Sequence, residues 1–327
     1  MITLSQIKRP IESTLAEFDT FAQEQFRTEN ELLREMMVDA LSSRGKGVRP
    51  ILVFLCAAIS SPTHFIGKRA FISALMIEMI HLSSLIHDDV IDEAATRRDK
   101  PTLNSKWQSK RAVLVGDYIL ARNLIIGLSS GQFDLVSHIT RAIATLCEGE
   151  VIQDDRARRG VMTMFDYFDI VNKKTASLIS ISCSSGGLSA GAKGDEVTRL
   201  GELGKNIGIA FQIQDDILDY DSSANSGKES FKDLAEGKIT LPLLMLLERD
   251  SEERRGEIIE LLRQAPTNSE ALSSVARYVV EGGGVALASD VMNRYINNAL
   301  AILSEYPDSE YRSALIDMCA FIIQRDR

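Results

Sequence analysis

The chain has 327 residues, 45% of them apolar and 25% charged, with a formal net charge of -9. That is a globular composition, long enough for one large domain or two ordinary ones. Its acidity argues against nucleic acid as the main partner, because such domains carry a basic footprint.

Residues 1–10 lack a basic segment followed by an apolar run, and no uninterrupted apolar stretch approaches the length of a membrane span. The expectation is a cytoplasmic chain without a transmembrane segment. Four widely spaced cysteines, Cys56, Cys147, Cys183 and Cys319, show no CxxC spacing. They read as small core hydrophobes in a reducing compartment.

Helix-period apolar spacing runs almost the whole length, and strand signals are scarce, so the predicted class is all-α. The pattern predicts helices at 3–26, 29–43, 50–60, 67–93, 109–130, 133–156, 164–185, 194–221, 238–249, 253–264, 268–281, 284–305 and 309–325. Pro50 is placed at a first helical position and Pro62 at a helix boundary. Residues 221–227, DSSANSG, form a loop by composition, and 185–189, SGGLS, are read as a turn. Nothing resembling a linker divides the chain, so residues 1–327 are expected to make one helical domain.

Two aspartate clusters stand out: Asp88-Asp89-Val90-Ile91-Asp92 and Asp215-Asp216-Ile217-Leu218-Asp219. With Asp at roughly 6% of residues, one DDxxD would arise by chance in roughly 7% of chains this long, and two in under about 1%. On a helix, positions i and i+4 share a face, so Asp88 can converge with Asp92, and Asp215 with Asp219. The stripes Ile77, His81, Ser84, Asp88 and Leu200, Gly204, Ile207, Phe211, Asp215 predict that both pairs point into the bundle. Hard carboxylate oxygens gathered in this way suit Mg²⁺, which is commonly shared with substrate phosphates.

Basic residues narrow the chemistry. Arg97-Arg98 follow the first cluster, and Gly45-Lys46-Gly47-Val48-Arg49-Pro50 forms a glycine-flanked basic loop at a helix start. Arginine offers a planar fork to phosphate oxygens, and a helix N-terminus favours an anion. Lys173-Lys174-Thr175 interrupt an apolar helix, and Lys228 and Lys238 follow the second cluster. Two anionic groups, one gripped through metal and one by cations alone, would use all of these.

Taken together, these motifs resemble the trans-isoprenyl diphosphate synthase (polyprenyl synthetase) family, with matching order and spacing from Gly45 to the final QRDR. The likeness is greatest to long-chain members of the octaprenyl diphosphate synthase type. It implies a single large helical bundle with a central active-site cavity, and catalysis by Asp88, Asp89, Asp92, Arg97, Lys174, Asp215, Asp216 and Lys238. By the same resemblance, Asp88, Asp92, Asp215 and Asp219 would hold Mg²⁺, three ions with substrate bound. Arg97, Lys174, Thr175, Gln212, Lys228 and Lys238 would contact the allylic diphosphate. Lys46, Arg49, His81 and Arg98 would bind isopentenyl diphosphate without metal. The segment EGEVIQ at 148–153 is similar to the family helix that faces the site. A homodimer is implied, with helix 109–130 as the candidate interface, and a quinone side chain as the end use.

There are departures. Asp99 stands where a glycine commonly follows the arginine pair, and Gly47 and Phe231 replace an expected basic residue and a glycine. They put local loop shape in question rather than the chemistry. Small residues Ser83 and Ser84 lie about one turn before Asp88, where short-chain relatives place aromatic rings, and Ile80 and Ile77 follow below. A product of about C30 to C50, centred on C40, is the resulting expectation. Rival readings are a helical metal-dependent phosphohydrolase built on His87-Asp88 with His64 and His81, a terpene cyclase, and a non-catalytic subunit of a heteromeric synthase. The first leaves the second cluster and Arg97-Arg98 unused. The second usually carries Asn and Ser in place of Asp215-Asp216, and the third usually has eroded aspartates.

Overall fold

A computed structural model describes residues 2–42, 45–98, 100–159, 162–220 and 231–324, with 157–159 as backbone only. Among these residues the chain forms α1 (Leu4–Lys8), α2 (Glu12–Gln25), α3 (Glu31–Ser42), α4 (Val48–Ser60), α5 (Lys68–Ile91), α6 (Leu103–Trp107), α7 (Ser109–Ser129), α8 (Phe133–Arg159) and α9 (Met164–Val171). There follow α10 (Ser177–Ser189), α11 (Asp195–Leu218), α12 (Lys232–Ala235), α13 (Leu241–Leu247), α14 (Glu252–Gln264), α15 (Ser269–Glu281), α16 (Gly284–Ser304) and α17 (Glu310–Gln324). The all-α expectation holds. The exception is a small antiparallel hairpin, β1 (Thr96–Arg97) and β2 (Lys100–Pro101), whose two-residue strands carry no periodic signal.

Helices α4, α5, α10 and α11 form the centre, and their compositions explain why. Residues 50–58 of α4 are buried without interruption, and α5 is buried on most of its circumference, as expected of a helix that is apolar all round. Helix α10 is rich in small residues, which lets its neighbours approach closely. A Cβ on Gly186 would come within 2.4 Å of the Val53 carbonyl, and one on Gly187 within 2.2 Å of Leu200. These two glycines are therefore crossing points inside α10, not the turn predicted at 185–189; the chain turns after Ser189 instead. Likewise the predicted helix 3–26 is broken by a tight turn at Arg9–Ile11, Pro10 supplying the start. Pro50 sits two residues inside α4, behind the left-handed N-cap Gly47 (φ 69°).

The relative directions of the helices follow from their contacts. Ser83 of α5 donates to the Gly116 carbonyl, and Met76 lies against Gly127, so α7 runs antiparallel to α5. Arg69 bonds Asp134 at the start of both α5 and α8, making those two parallel. Lys174 meets Glu150 before α10, whereas Leu188 reaches Arg69 at its end, so α10 descends and α11 returns. Helices α5 and α11 thus end at the same end of the bundle, each bearing an aspartate cluster where the helix dipole is negative and attracts cations.

Among the described residues two helices, Lys68–Ile91 and Ser109–Ser129, are long and apolar enough to cross a membrane by length and composition, a test that the core helix of a bundle also passes. Most of α5 is buried in the bundle. Helix α7 instead exposes Leu114 (57%), Ile125 (52%) and Leu128 (53%) on its outer face.

Candidate active site

At the end of α5, Asp88 is half-buried, Asp89 is buried and Asp92 is exposed. Burial, the neighbouring Glu150 carboxylate and Asp92 push Asp88 up to about 6, against the opposing pull of Lys174 and Arg97. Asp89 faces the other way and accepts from Arg97 Nε at 2.7 Å. It fastens the hairpin to the helix rather than joining Asp88. Glu150 of α8 holds Lys174 Nζ at 2.8 Å, while its other oxygen is buried without a hydrogen-bond partner. Sequence reasoning named the segment around Glu150 but not that residue, whose role only its contacts reveal.

Lys174 and Thr175 lie in a wide π turn, Asn172–Ala176, between α9 and α10. Such single-turn bulges re-aim side chains and recur at functional sites. Helix α8 crosses this turn at Gly149, where a Cβ would stand 2.9 Å from Lys173 Cβ. From here a hydrogen-bond chain runs to the second cluster. Thr175 Oγ1 donates to Gln212 Oε1 (2.9 Å), and Gln212 Nε2 donates to Asp216 Oδ1 (3.1 Å).

The second cluster divides differently from the prediction. Asp215 is exposed at the rim. Asp216 is buried, and its Oδ2 accepts from the Tyr167 hydroxyl (2.7 Å) and the Leu241 N–H (3.0 Å). Burial pushes Asp216 up to about 6 although these donors pull the other way. Asp219 does not converge freely with Asp215. Its two oxygens accept the backbone N–H groups of Lys232 (2.9 Å) and Asp233 (3.0 Å), capping α12. The reason is local: the chain leaves α11 at Leu218 and returns at Phe231, so Asp219 faces the re-entering backbone. Of the four expected metal ligands, the site therefore presents Asp88, Asp92 and Asp215 outward.

Lys238 lies among Glu236, Asp233 and Asp92. Burial opposes its charge, but these carboxylates win and hold its pKa above the usual lysine value. Its ion pairs are to Asp233 and Glu236, and Asp92 of the first cluster acts on it through space. Lys228, Arg325 and Arg327 lie outside the described residues, as do the loop 221–227 and Asp99.

Of the four residues expected to bind isopentenyl diphosphate, Arg49, His81 and Arg98 act on one another beside α5. Arg49 is driven down to about 10 by burial, eased by Glu78 and worsened by Arg98, and its Nε is buried without a hydrogen-bond partner. His81 is held well below the usual imidazole range by burial and by Arg49, Arg98 and Arg97, so it is neutral at physiological pH. The Arg98 guanidinium lies over Gly45, where a Cβ would be 2.6 Å from Nη1. Lys46 sits over the Phe321 ring at 5.9 Å. Cations crowded to the point of depressing one another, with a buried donor left over, fit an anionic ligand.

Among the described residues no three His, Cys, Asp or Glu side chains are close enough to form a ready-made metal cage. Mg²⁺ does not need one, since it is usually bound by one or two carboxylates together with substrate phosphates. Asp88 with the orphaned Glu150 oxygen fits that donor set. The phosphohydrolase reading fails on geometry. His64 Nδ1 contacts the Ala58 carbonyl at the far end of the bundle, and His87 faces Gly116 and Asp117 on α7.

Of the chain-length residues, Ser83 is buried against α7, donating to Gly116 O at 3.0 Å, while Ser84 is half-buried and donates to His81 O. Ile80 and Ile77 are buried below.

Comparison with known proteins identifies the family. The family model described as Polyprenyl synthetase matches residues 30–279. The chain is 35% identical over 286 residues to decaprenyl-diphosphate synthase of Dictyostelium discoideum, covering 87% of this chain and 60% of that protein. It is 31% identical to octaprenyl diphosphate synthase of Escherichia coli (strain K12), covering 93% of each. It superimposes on a crystal structure of polyprenyl synthase from Caulobacter crescentus CB15 complexed with calcium and isoprenyl diphosphate. That match has a TM-score of 0.89 and 26% identity, and covers 100% of this chain and 99% of the other. With matching sequence, fold and motif order, the chain belongs to the polyprenyl synthetase family and is a prenyltransferase.

Proposed function

We propose that this chain is a long-chain all-trans polyprenyl diphosphate synthase. It condenses isopentenyl diphosphate repeatedly onto an allylic diphosphate, releasing pyrophosphate, and stops between about C30 and C50, centred on C40. The observation that carries this reading is the pairing of two unlike anion sites at one end of the bundle. One is lined by carboxylates and lysines, and the other by Arg49, His81 and Arg98.

Asp88, Asp92 and Asp215 would hold Mg²⁺, three ions in the substrate complex, and the metal would supply positive charge against the leaving diphosphate. Lys174, Lys238, Arg97 and Lys228 stabilise the same growing charge, so the allylic C–O bond ionises. Thr175 and Gln212 position that diphosphate, and Asp89 and Asp216 brace the hairpin and the α13 entry. Asp219 keeps α12, and with it Lys238, in place. Lys46, Arg49, His81 and Arg98 hold isopentenyl diphosphate with its double bond towards the cation. Neutral His81 can donate a hydrogen bond without adding a fourth charge to that group. Loss of a proton to the departing pyrophosphate restores an allylic product, and the apolar walls below Asp88 exclude water that would quench the cation.

Residues 1–327 act as one domain, a cytoplasmic homodimer joined through the apolar outer face of α7. Incubating the purified chain with isopentenyl diphosphate, farnesyl diphosphate and Mg²⁺, with mass spectrometry of the extracted product, tests the reading. A product series ending between C30 and C50 is expected. No product, or a stop at C15, would overturn it.

A further inference from the structure

Two acids of α8 meet the two lysines of the π turn, and they are not equivalent. The Glu148 side chain is 67% exposed and stands 3.9 Å from Lys173, which has a nearer partner in Asp169 at 3.0 Å. The Glu150 side chain is only 26% exposed, and its Oε2 holds Lys174 Nζ at 2.8 Å. Gly149, between the two acids, lets α8 come this close. A Cβ there would stand 2.9 Å from Lys173 Cβ and 3.1 Å from the Lys174 backbone nitrogen. The close crossing thus sets Glu150 beside Lys174.

One oxygen of Glu150 is enough to hold the lysine, yet the other is withdrawn from water as well. Oε1 is buried and accepts no hydrogen bond. A carboxylate oxygen buried without a donor is costly, and a cation brought to it relieves that cost. The carboxylate that Glu150 acts on is Asp88. Among the charged groups around Asp88, Glu150 has the largest effect, ahead of Lys174 and of Asp92 from the same motif. Two acids from different helices therefore converge with one lysine acting on both, two negative charges against one positive. Bracing Lys174 needs no such convergence, because the amide oxygen of a glutamine would accept from a lysine equally well.

Resting on the synthase reading above, we propose that Glu150 is a further carboxylate of the metal site, supplied by α8 from outside both aspartate motifs. Its Oε2 keeps Lys174 in place for the diphosphate, and its Oε1 contributes to binding the Mg²⁺ assigned to Asp88. Carboxylate oxygens are the ligand type that Mg²⁺ takes, and they need not form a complete cage where substrate phosphates supply the rest.

The test titrates Mn²⁺ into the full chain in the presence of inorganic pyrophosphate and follows free Mn²⁺ by electron paramagnetic resonance, with thermal unfolding of each variant. Groups that support a bound metal commonly contribute about 10–100-fold to its affinity. Glu150→Gln should therefore weaken Mn²⁺ binding at least about 10-fold, raise the metal concentration for half-maximal turnover in step, and leave KM for isopentenyl diphosphate unchanged. Glu148→Gln removes the same charge from the same helix and should bind Mn²⁺ as the wild type does. Glu150→Asp keeps the charge but draws it back by one methylene; it should lose part of the affinity, and it serves if the glutamine variant does not fold. Wild-type Mn²⁺ affinity in Glu150→Gln, which would leave Glu150 a brace for Lys174, or equal losses in Glu150→Gln and Glu148→Gln, would overturn the inference while the synthase reading stands. A wild-type chain that makes no polyprenyl product would overturn the synthase reading instead.

Discussion

Replacing Ser84 by phenylalanine places a ring one helical turn, about 5.4 Å, below Asp88. Ser84 is half-buried and its hydroxyl bonds only its own helix, donating to His81 O at 2.9 Å, so the substitution breaks no bond between helices. The ring would stand beside α5 where the second or third isoprene unit is expected, and the product should shorten towards about C15–C20. Ser83 gives the opposite outcome, although it is the neighbouring serine. It is 1% exposed, its hydroxyl bonds Gly116 O across to α7, and a Cβ at Gly116 would already stand 2.2 Å from His87 Nε2. Phenylalanine there must part α5 from α7, and overpacking of this kind costs about 1–3 kcal/mol. The assay is mass spectrometry of extracted product together with denaturant unfolding. Ser84→Phe should shorten the product with stability nearly unchanged, and Ser83→Phe should lose stability first. Parental product from Ser84→Phe, or a stable Ser83→Phe enzyme that shortens product equally, would refute the assignment of the two faces.

Four further outcomes are expected. Asp88→Ala or Asp215→Ala should lower kcat by at least about 10²-fold with the fold intact, and EDTA should abolish turnover; full activity in EDTA would count against the metal. Asp219→Ala and Asp216→Ala should in addition lose about 1–3 kcal/mol in urea, because the first leaves two backbone N–H groups unpaired and the second leaves the Leu241 N–H and the Tyr167 hydroxyl. Arg49→Ala should mainly raise KM for isopentenyl diphosphate and Lys238→Ala that for the allylic substrate, with Arg49→Lys also impaired; equal effects on both substrates would contradict the two-site division. Asp88 and Asp216, both raised to about 6, bind protons more readily folded than unfolded. Their contribution to stability is therefore full below the ordinary carboxyl range and gone above about pH 6. In EDTA these two groups should make urea unfolding harder at pH 5 than at pH 7.5, and Asp216→Asn should flatten that dependence.

The site was legible in the sequence to the extent that its residue types are. Paired carboxylates, an arginine doublet and a glycine-flanked basic loop announce metal and diphosphate wherever the helices carry them to one end, and the fold does so. The direction of each side chain was less legible. Asp215 and Asp219 share a helix face in projection, yet α11 ends between them and the returning chain claims Asp219 as a cap. Resemblance points to the segment 148–153, but only Lys174 and Asp88 beside it single out Glu150.

Periodicity and composition by themselves determined the helical class, the order of the long helices and the chemistry of the site, because those depend on neighbours within one or two turns. What only tertiary structure decided depends on contacts far apart along the chain. Gly186 and Gly187 read locally as a turn, but Val53 and Leu200 pack where their side chains would be, so the helix runs through them. Ser83 and Ser84 are alike in sequence, and the crossing of α7 alone separates a residue bonded across to α7 from one bonded only within its own helix. Arg69 is an ordinary basic residue at a helix start until Gln132, Asp134 and Leu188 arrive from positions up to 119 residues away. No local pattern encodes such a meeting, because it exists only once the bundle has brought three helix ends together.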